Sequence, residues 1–336
     1  MLLSRILSTF TAPMLLGGHR PRCGHLAAAI SGLSPASVDE QVRLIDGFRQ
    51  RVMECNLPGP PSLPFLVNDV EAGEVAADLL PLLRSHPDVL EVGVDAVRLA
   101  EPVAGASVEK RTAAMATVTQ SMRDAGLVEG WRDELLALAT AFDAPPAFLI
   151  ERACLPLFGG KGYGIFVNGY SIEPSTGVPW LWVATRSASK PTWPGMLDVI
   201  VGGALSAGMS PSASVIKEAA EEAGVPLALA EQARPASCCS YRGTDERGYL
   251  KRDVLFCYDL ELPWEFEPLA IDGEVDRFER MPLSRVAEAV AYGTPAAYKP
   301  NCNLVVADFL VRYGYVSGDV PGYLPLLADL RAGDCR

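Results

Sequence analysis

Histidine is scarce in this sequence, and closely paired metal-binding cysteines are missing. Only three His occur among the 336 residues, and the eight Cys include no C-x-x-C pair. Because structural zinc sites take their ligands from closely spaced Cys and His, a zinc centre is not expected. The one adjacent pair, Cys238 and Cys239, is predicted to be reduced core thiols of a protein in a reducing compartment.

Long apolar runs are also missing, and positive charge is in the minority. No uninterrupted stretch reaches the about 20 apolar residues that a membrane-spanning helix needs, so no membrane partner is expected. Lys and Arg number 29 against 41 Asp and Glu, which gives a formal net charge of -12. Nucleic acid is therefore not expected as a partner, because phosphate backbones are bound through clustered Lys and Arg. A divalent metal can still bring positive charge to a site for a small anionic substrate.

The first 38 residues contain no Asp or Glu. They carry Arg5, Arg20 and Arg22 among Ser, Leu and Ala. This composition is typical of a mitochondrial or plastid transit peptide, and a plain N-terminal tail on a cytoplasmic protein is the alternative.

Length and composition predict two domains, with 49% hydrophobic residues to build their cores. Residues 39–150 are predicted to form a small α+β domain, in which a helix follows the turn at Asp124 and runs to Phe142. Glycines and aromatics become dense after Cys154, and residues 151–330 are predicted to form the second domain. The oligomeric state does not follow from the sequence.

One short helix is well marked. Ser210 is a good N-cap, Pro211 suits the first turn, and Gly224 can take the left-handed conformation that ends a helix. The pair Gly202 and Gly203 precedes it, which allows the backbone to approach a metal or a phosphate closely.

This helix carries three carboxylates on one face. Glu218, Glu221 and Glu222 have the i, i+3 and i+4 spacing that brings side chains together. Their mutual repulsion is relieved when a hard cation binds between them, and a solvated acidic face is the alternative.

The segment resembles the Nudix box, G-x5-E-x7-R-E-U-x-E-E-x-G-U, where U is apolar. The matching positions are Gly203, Glu218, Glu221, Glu222, Gly224 and Val225. Met209 stands where the family has its first Glu, and Lys217 where it has Arg. In the family that Glu and Arg hold the loop and the helix together, so the usual brace is in doubt here. The resemblance implies an α/β fold, the α/β/α sandwich with a mixed sheet.

Further segments are similar to the thiamine-diphosphate-related Nudix group, which is fused to thiamine pyrophosphokinase in some fungi and carries an N-terminal extension domain. They include residues 131–134, 168–170, 192–195, 258–263, 272–275 and 299–302. This resemblance implies hydrolysis of thiamine diphosphate, or of its damaged oxo and oxy analogues, to the monophosphate and phosphate, with Mg²⁺ or Mn²⁺.

The alternatives are a Nudix pyrophosphatase for dinucleotides or ADP-ribose, a prenyl diphosphate isomerase, and a catalytically inactive diphosphate-binding module. The absence of His after His86 argues against the isomerase, and Met209 and Lys217 favour the inactive module.

By position in the family motif, Glu221 and Glu222 are expected as metal ligands, the Gly202 carbonyl as a backbone ligand, and Glu218 as a ligand or as the base that orients water. Glu274, in a Asp-Gly-Glu segment before a strand, is the candidate for a further metal-binding carboxylate. A turn with a solvated Glu is the alternative for that residue.

Four residues are candidates for substrate binding. Arg186 and Lys190 are suited to the terminal phosphate, with surface ion pairing as the alternative. Trp193, with Trp180 and Tyr170 nearby, is a candidate for stacking on a heteroaromatic ring, with core packing as the alternative. The resemblance also implies a polar contact from Asn301.

Overall fold

The computed structural model describes residues 37–335. Its helices, in chain order, are α1 (Val38–Cys55), α2 (Leu80–Leu83), α3 (Val108–Asp124), α4 (Pro211–Ala223), α5 (Leu227–Ala230), α6 (Leu283–Tyr292), α7 (Pro300–Arg312) and α8 (Tyr323–Asp329). Two 3-10 segments span Ala77–Leu79 and Arg152–Phe158. The strands are β1 (Ser62–Val67), β2 (Val70–Ala76), β3 (Leu90–Val92), β4 (Val97–Leu99), β5 (Leu135–Leu138), β6 (Phe148–Glu151), β7 (Lys161–Ile172), β8 (Pro179–Arg186), β9 (Leu197–Asp198), β10 (Val201–Ala204), β11 (Arg234–Thr244), β12 (Leu250–Glu261) and β13 (Val275–Pro282).

The largest sheet is mixed and lies between two helical layers. Its strand order is β11-β12-β7-β8-β13, with β10 paired to β7 and β9 paired to β8. Strands β12 and β7 run parallel, and the other pairs are antiparallel. Ile165 and Val167 of β7 pack with α4, whereas Phe166 and Tyr170 pack with α1, α6 and α7. The predicted α/β/α sandwich with a mixed sheet is thereby confirmed.

The N-terminal half adds two smaller sheets. A four-stranded sheet has the order β2-β1-β4-β3, and β5 pairs with β6. These sheets and α3 share a core of their own, in which Phe65, Phe148 and Phe158 make edge-to-face contacts. The predicted α+β segment before the sandwich is confirmed in type.

Helix α1 packs away from that smaller core. Ile45, Phe48 and Val52 are fully buried in the cluster that contains α6 and α7. Ser37 caps the helix by accepting a hydrogen bond from the Glu40 amide at 3.2 Å. The boundaries 39–150 and 151–330 stay predictions, and the packing of α1 crosses them.

The predicted helix up to Phe142 is wrong. The helix in this region is α3, which ends at Asp124, and Gly126 follows with a left-handed φ of 73°. Residues Leu135–Leu138 form β5, which pairs in antiparallel register with Phe148–Glu151. A short apolar run is compatible with both a buried helix turn and a buried strand. Pairing with β6, which lies further along the chain, makes this run a strand.

Among the described residues, none of the helices is both long enough and apolar enough to cross a membrane. The transit peptide predicted for residues 1–38 falls almost entirely on residues 1–36, which lie outside the described residues.

Candidate metal-dependent active site

Helix α4 begins and ends where the sequence predicts. The Ser210 hydroxyl accepts a hydrogen bond from the Ala213 amide at 3.2 Å, and Pro211 occupies the first turn. Gly224 ends the helix with φ of 61°. Val215 and Ala219 are buried against the sheet, which turns the acidic face toward β10 and the solvent.

The three glutamates of α4 differ in burial. Glu222 is only 9% exposed, and its Oε2 accepts a hydrogen bond from the Gly202 amide at 3.1 Å. The Glu218 carboxylate lies over Gly203, where a Cβ would stand 3.2 Å from the Glu218 Cδ. Glu221 lies at the outer edge, with 56% of its side chain exposed. The small residues of β10 therefore let two of the three carboxylates lie directly on the strand.

Burial raises the pKa of Glu222 to about 8. The hydrogen bond from Gly202 acts in the opposite direction, and the negative charges of Asp198, Glu218 and Glu274 raise the pKa further. Because the Glu222 carboxylate lies near other negative charges, a cation bound beside it would strongly favour its ionised form.

Glu222 meets two further carboxylates from the loop before β13. Oxygen atoms of Glu222, Asp272 and Glu274 all lie within 4.8 Å of one another. Mg²⁺ and Ca²⁺ bind oxygen at about 2.0–2.6 Å, so oxygens on opposite sides of one ion lie up to about 5 Å apart. The donor set contains only oxygen, and it fits a hard divalent cation.

Asp272 was not among the residues predicted from the sequence. Its Oδ1 accepts a hydrogen bond from the Glu274 amide at 2.8 Å, which shapes the turn around Gly273. The only sequence signal was the Asp-Gly pair ahead of Glu274, and that pair indicates a turn rather than a ligand.

Glu218 and Glu221 share a lysine neighbour. Lys217, at the position of the Arg in the Nudix box, lies 3.0 Å from Glu218 and 2.8 Å from Glu221. The hydrogen bond to Glu221 is the largest influence that raises the pKa of Lys217. This half-exposed ion pair contributes little to stability, and it keeps the two carboxylates on the same side of the helix.

The residues predicted for the terminal phosphate both contact protein groups. Lys190 Nζ lies 2.7 Å from Glu274 Oε2. Burial acts to raise the pKa of Glu274, and Lys190 more than offsets this, so the pKa lies below its ordinary value. Arg186 donates to Asp198 at 2.8 Å and to the carbonyls of Trp193 and Thr192 at 3.1 and 3.0 Å. In this arrangement Arg186 braces the loop after β8, and the phosphate role of both residues stays a prediction.

The candidate aromatics occupy different places. Tyr170 is 5% exposed and packs 5.9 Å from Phe309, and Trp180 lies edge-on to Trp264 at 6.3 Å. Trp193 instead sits in the loop after β8 with φ of 49°, and the ammonium groups of two lysines lie near its ring. Asn301 is 7% exposed in the first turn of α7.

The loop between β10 and α4 is braced from the N-terminal half of the chain. Ser206 donates to Glu134 Oε1 at 2.9 Å, and the Ala207 amide donates to the Leu135 carbonyl at 3.2 Å. Glu134 is itself paired with Arg152 at 2.8 Å. These contacts supply a loop brace although Met209 and Lys217 depart from the Nudix box.

Comparison with known proteins agrees with this geometry. The family model described as NUDIX domain matches residues 170–301, and the model described as Domain of unknown function (DUF4743) matches residues 48–162. Nudix hydrolase 24, chloroplastic, of Arabidopsis thaliana is 39% identical over 295 residues, which are 87% of this chain and 79% of that protein. The chain belongs to the Nudix hydrolase family. Nudix hydrolase 20, chloroplastic, of the same plant is 38% identical over 307 residues, again 87% and 79% of the two chains.

Solved structures of Nudix proteins are also similar. The NUDIX domain of Shewanella oneidensis NrtR, solved in complex with ADP ribose, has a TM-score of 0.35 and 16% identity, and it covers 46% of this chain and 90% of that chain. As a Nudix hydrolase, this protein is an enzyme that cleaves a diphosphate bond in a small-molecule substrate, and members of this family generally use divalent metals.

Proposed function

We propose that this Nudix hydrolase uses Mg²⁺ to hydrolyse thiamine diphosphate, or its damaged oxo and oxy analogues, to the monophosphate and phosphate. Mn²⁺ is the expected substitute for Mg²⁺. The observation that carries the metal part of the proposal is the cluster of Glu222, Asp272 and Glu274, whose oxygens lie within 4.8 Å of one another.

The donor set assigns the metal-binding residues in this proposal. Glu222, Asp272 and Glu274 form one group of ligands, and Glu218, Glu221 and the Gly202 carbonyl complete the set that the family motif implies. A divalent cation held by these carboxylates would neutralise charge on the phosphoryl oxygens. The Glu222 carboxyl must lose its proton before it can serve as a ligand, because its pKa is raised to about 8 in the metal-free protein.

Glu218 is the proposed residue that orients the attacking water. It lies over the glycine strand with 19% of its side chain exposed, so one side of the carboxylate faces the protein and the other is open to solvent. Its neighbour Lys217 donates a hydrogen bond to it at 3.0 Å. A carboxylate that accepts a proton from water needs this mixture of fixed position and access.

The choice of substrate is supported by the segments that resemble the thiamine-diphosphate-related group. Two of them contain residues described above. Residues 272–275 contain Asp272 and Glu274, and residues 192–195 contain Trp193. Segment 131–134 ends at Glu134, which braces the loop before α4.

A substrate panel tests the proposal. Phosphate release from thiamine, oxothiamine and oxythiamine diphosphates is measured with Mg²⁺, with Mn²⁺ and with EDTA, beside ADP-ribose, dinucleotides and prenyl diphosphates. We expect metal-dependent turnover that is highest on a thiamine-type diphosphate. Higher turnover on ADP-ribose or a dinucleotide would refute the substrate assignment, and background turnover on every compound with binding retained would indicate an inactive module.

Variants assign the turnover to the cluster. The Glu221→Gln/Glu222→Gln double variant and Asp272→Asn are each expected to lose at least about a hundredfold in kcat, as removal of metal-positioning groups commonly does. Glu231→Gln is the matched control, because Glu231 is an exposed residue that ends α5. Its kcat is expected to equal that of the wild type.

The proposal includes a plastid location. The two Arabidopsis relatives are both named chloroplastic, which supports a plastid over a mitochondrion, and the composition of residues 1–38 is compatible with either address. Fusion of residues 1–60 to a fluorescent protein distinguishes plastid, mitochondrial and cytoplasmic destinations. A diffuse cytoplasmic signal would contradict the organellar assignment.

A further inference from the structure

Two lysines converge on one aromatic ring beside the carboxylate cluster. Lys251 Nζ lies 5.5 Å from the centre of the Trp193 ring, and Lys299 Nζ lies 5.8 Å from the same centre. Lys251 comes from β12, and Lys299 immediately precedes α7. The ring itself is held in place, because Arg186 donates to the Trp193 carbonyl at 3.1 Å. Three separate parts of the chain therefore meet at this point.

Each ammonium group has one carboxylate within 4 Å among residues 37–335, and each of these carboxylates also has a second, shorter contact. Lys299 lies 3.9 Å from Asp198, but that carboxylate is bound more closely by Arg186 at 2.8 Å. Lys251 lies 3.5 Å from Asp253, a carboxylate that accepts a hydrogen bond from the Tyr241 hydroxyl. The lysine side chains are only 26% and 14% exposed for Lys251 and Lys299, respectively. Two largely buried cations with weak partners repel each other, and an anion placed near both of them relieves that repulsion.

The same place offers a neutral side-chain donor. Lys299 is the N-cap residue of α7, where Pro300 has no N–H and the Cys302 amide donates to the Lys299 carbonyl at 2.9 Å, so Asn301 supplies the donor. Asn301 is 7% exposed, and its only described contact is a long hydrogen bond at 3.7 Å from the Cys302 thiol to its Oδ1. Its amide nitrogen donates to no atom of the described residues, so this nearly buried donor is available to a ligand.

These donors adjoin the carboxylate cluster through Phe166. Lys299 Nζ lies 5.6 Å from the centre of the Phe166 ring. On the other side, a Cβ at Gly202 would stand 3.1 Å from the Phe166 Cδ1. Gly202 donates to Glu222, a member of the cluster. One phenyl ring thus separates Lys299 from the strand on which Glu222 rests.

We infer that Lys251, Lys299 and Asn301 form a phosphate subsite next to Trp193, which holds one phosphate group of the diphosphate while the carboxylate cluster engages the other through the metal. The inference deepens the proposed function and rests on it for the identity of the ligand. It assigns Lys251 and Lys299 to binding, and no bond is made or broken at the subsite. It also explains how an acidic protein offers fixed positive charge to its substrate.

Binding of methylenediphosphonate, a diphosphate analogue that cannot be hydrolysed, tests the subsite by calorimetry in the presence of Mg²⁺. Lys251→Met and Lys299→Met keep the length of the side chain and remove its charge. Each is expected to weaken binding about tenfold, the size of one charge-assisted contact, and Lys251→Arg and Lys299→Arg are expected to restore most of it. Lys110→Met is the matched control, because Lys110 is exposed on α3, and its affinity should equal that of the wild type.

A second measurement uses the wild-type chain and is independent of variant folding. Acetic anhydride acetylates accessible lysines, and mass spectrometry reports each site. Methylenediphosphonate is expected to slow acetylation of Lys251 and Lys299 and to leave Lys110 unaffected. Unchanged affinity in both Met variants, or equal acetylation with and without the analogue, would overturn the subsite.

The two proposals fail in different ways. If the wild type hydrolyses no diphosphate and the Met variants still bind methylenediphosphonate more weakly, the proposed function is wrong and the subsite stands. If turnover is robust and the Met variants keep wild-type KM and affinity, the subsite is wrong and the function stands.

Discussion

The Ser206 hydroxyl donates to the Glu134 carboxylate at 2.9 Å, across the boundary between the N-terminal sheets and the Nudix sandwich. Ser206 lies in the loop that connects β10 with α4, and Glu134 is fixed from behind by Arg152 at 2.8 Å. The N-terminal half therefore helps to position the loop that precedes α4.

Loss of this contact should reduce turnover more than it reduces stability. Ser206→Ala removes a hydrogen bond to a charged group, which is worth about 1.5–3 kcal/mol, so kcat on the best diphosphate of the panel is expected to fall about tenfold through a misplaced loop. Thermal unfolding should change by only a few degrees. Glu129→Gln, at an exposed position of the same half, is the control. A wild-type kcat in Ser206→Ala would show that the loop holds its position without Glu134.

Glu222 should destabilise the metal-free protein at alkaline pH. Its folded-state pKa is about 8 against an ordinary value of 4.5. The folded state favours the neutral acid, so Glu222 contributes to the free energy of unfolding. This contribution is complete below pH 4.5 and is lost as pH rises through about 8. In EDTA, Glu222→Gln is therefore expected to melt higher than the wild type at pH 9 and close to it at pH 5.

The control for that comparison is Glu221→Gln on the same helix. Glu221 is half-exposed, so the melting temperature of Glu221→Gln should change between pH 5 and pH 9 by the same amount as that of the wild type. Equal melting temperatures for wild type and Glu222→Gln at pH 9 would mean that solvent reaches the Glu222 carboxylate.

Lys190 is paired with Glu274, a carboxylate proposed to bind the metal, so Lys190 and the metal are expected to compete for it. The two side chains form an ion pair at 2.7 Å, and only 12% of the Lys190 side chain is exposed. Lys190→Met frees one ligand, so the Mg²⁺ concentration for half-maximal activity is expected to fall a few-fold with little change in the KM for the diphosphate. A KM that rises about tenfold, the size of a lost charge-assisted contact, would instead support the terminal-phosphate role predicted from the sequence.

Arg186 should be needed for the order of the loop that carries Trp193. Its guanidinium group makes three contacts, with Asp198 and with the carbonyls of Thr192 and Trp193. Arg186→Met leaves the buried Asp198 carboxylate without its nearest cation, a change that typically costs about 3–5 kcal/mol. We expect a lower melting temperature and faster proteolysis within residues 187–195. Arg277→Met, at an exposed position of β13, is the control. Unchanged melting with a raised KM would assign Arg186 to the substrate instead.

The local parts of this site were predictable, and the long-range parts were not. Ser210, Pro211 and Gly224 mark α4 by their own backbone preferences, so its bounds followed from the sequence. Glu274 followed from the family resemblance. Asp272 and Lys251 did not, because their place depends on sheet register and on a loop approaching from far along the chain.

The contact of Glu134 with Ser206 could not be predicted from the sequence either, because the two residues are far apart in the chain. Nothing around Glu134 indicates a contact with Ser206, since the two residues are brought together by the packing of separate sheets. The sequence did identify the weakness that this contact repairs, in Met209 and Lys217. The two departures from the motif put the usual brace in doubt, and they gave no indication of a contact from Glu134.

The packing of α1 against α6 and α7 has a consequence for folding during translation. A ribosome releases α1 well before α6 and α7, so Ile45, Phe48 and Val52 stay without these neighbours until about 250 further residues have emerged. This core can close only after α6 and α7 have been synthesised, and a nascent chain halted before Leu283 would expose the apolar face of α1 to chaperones.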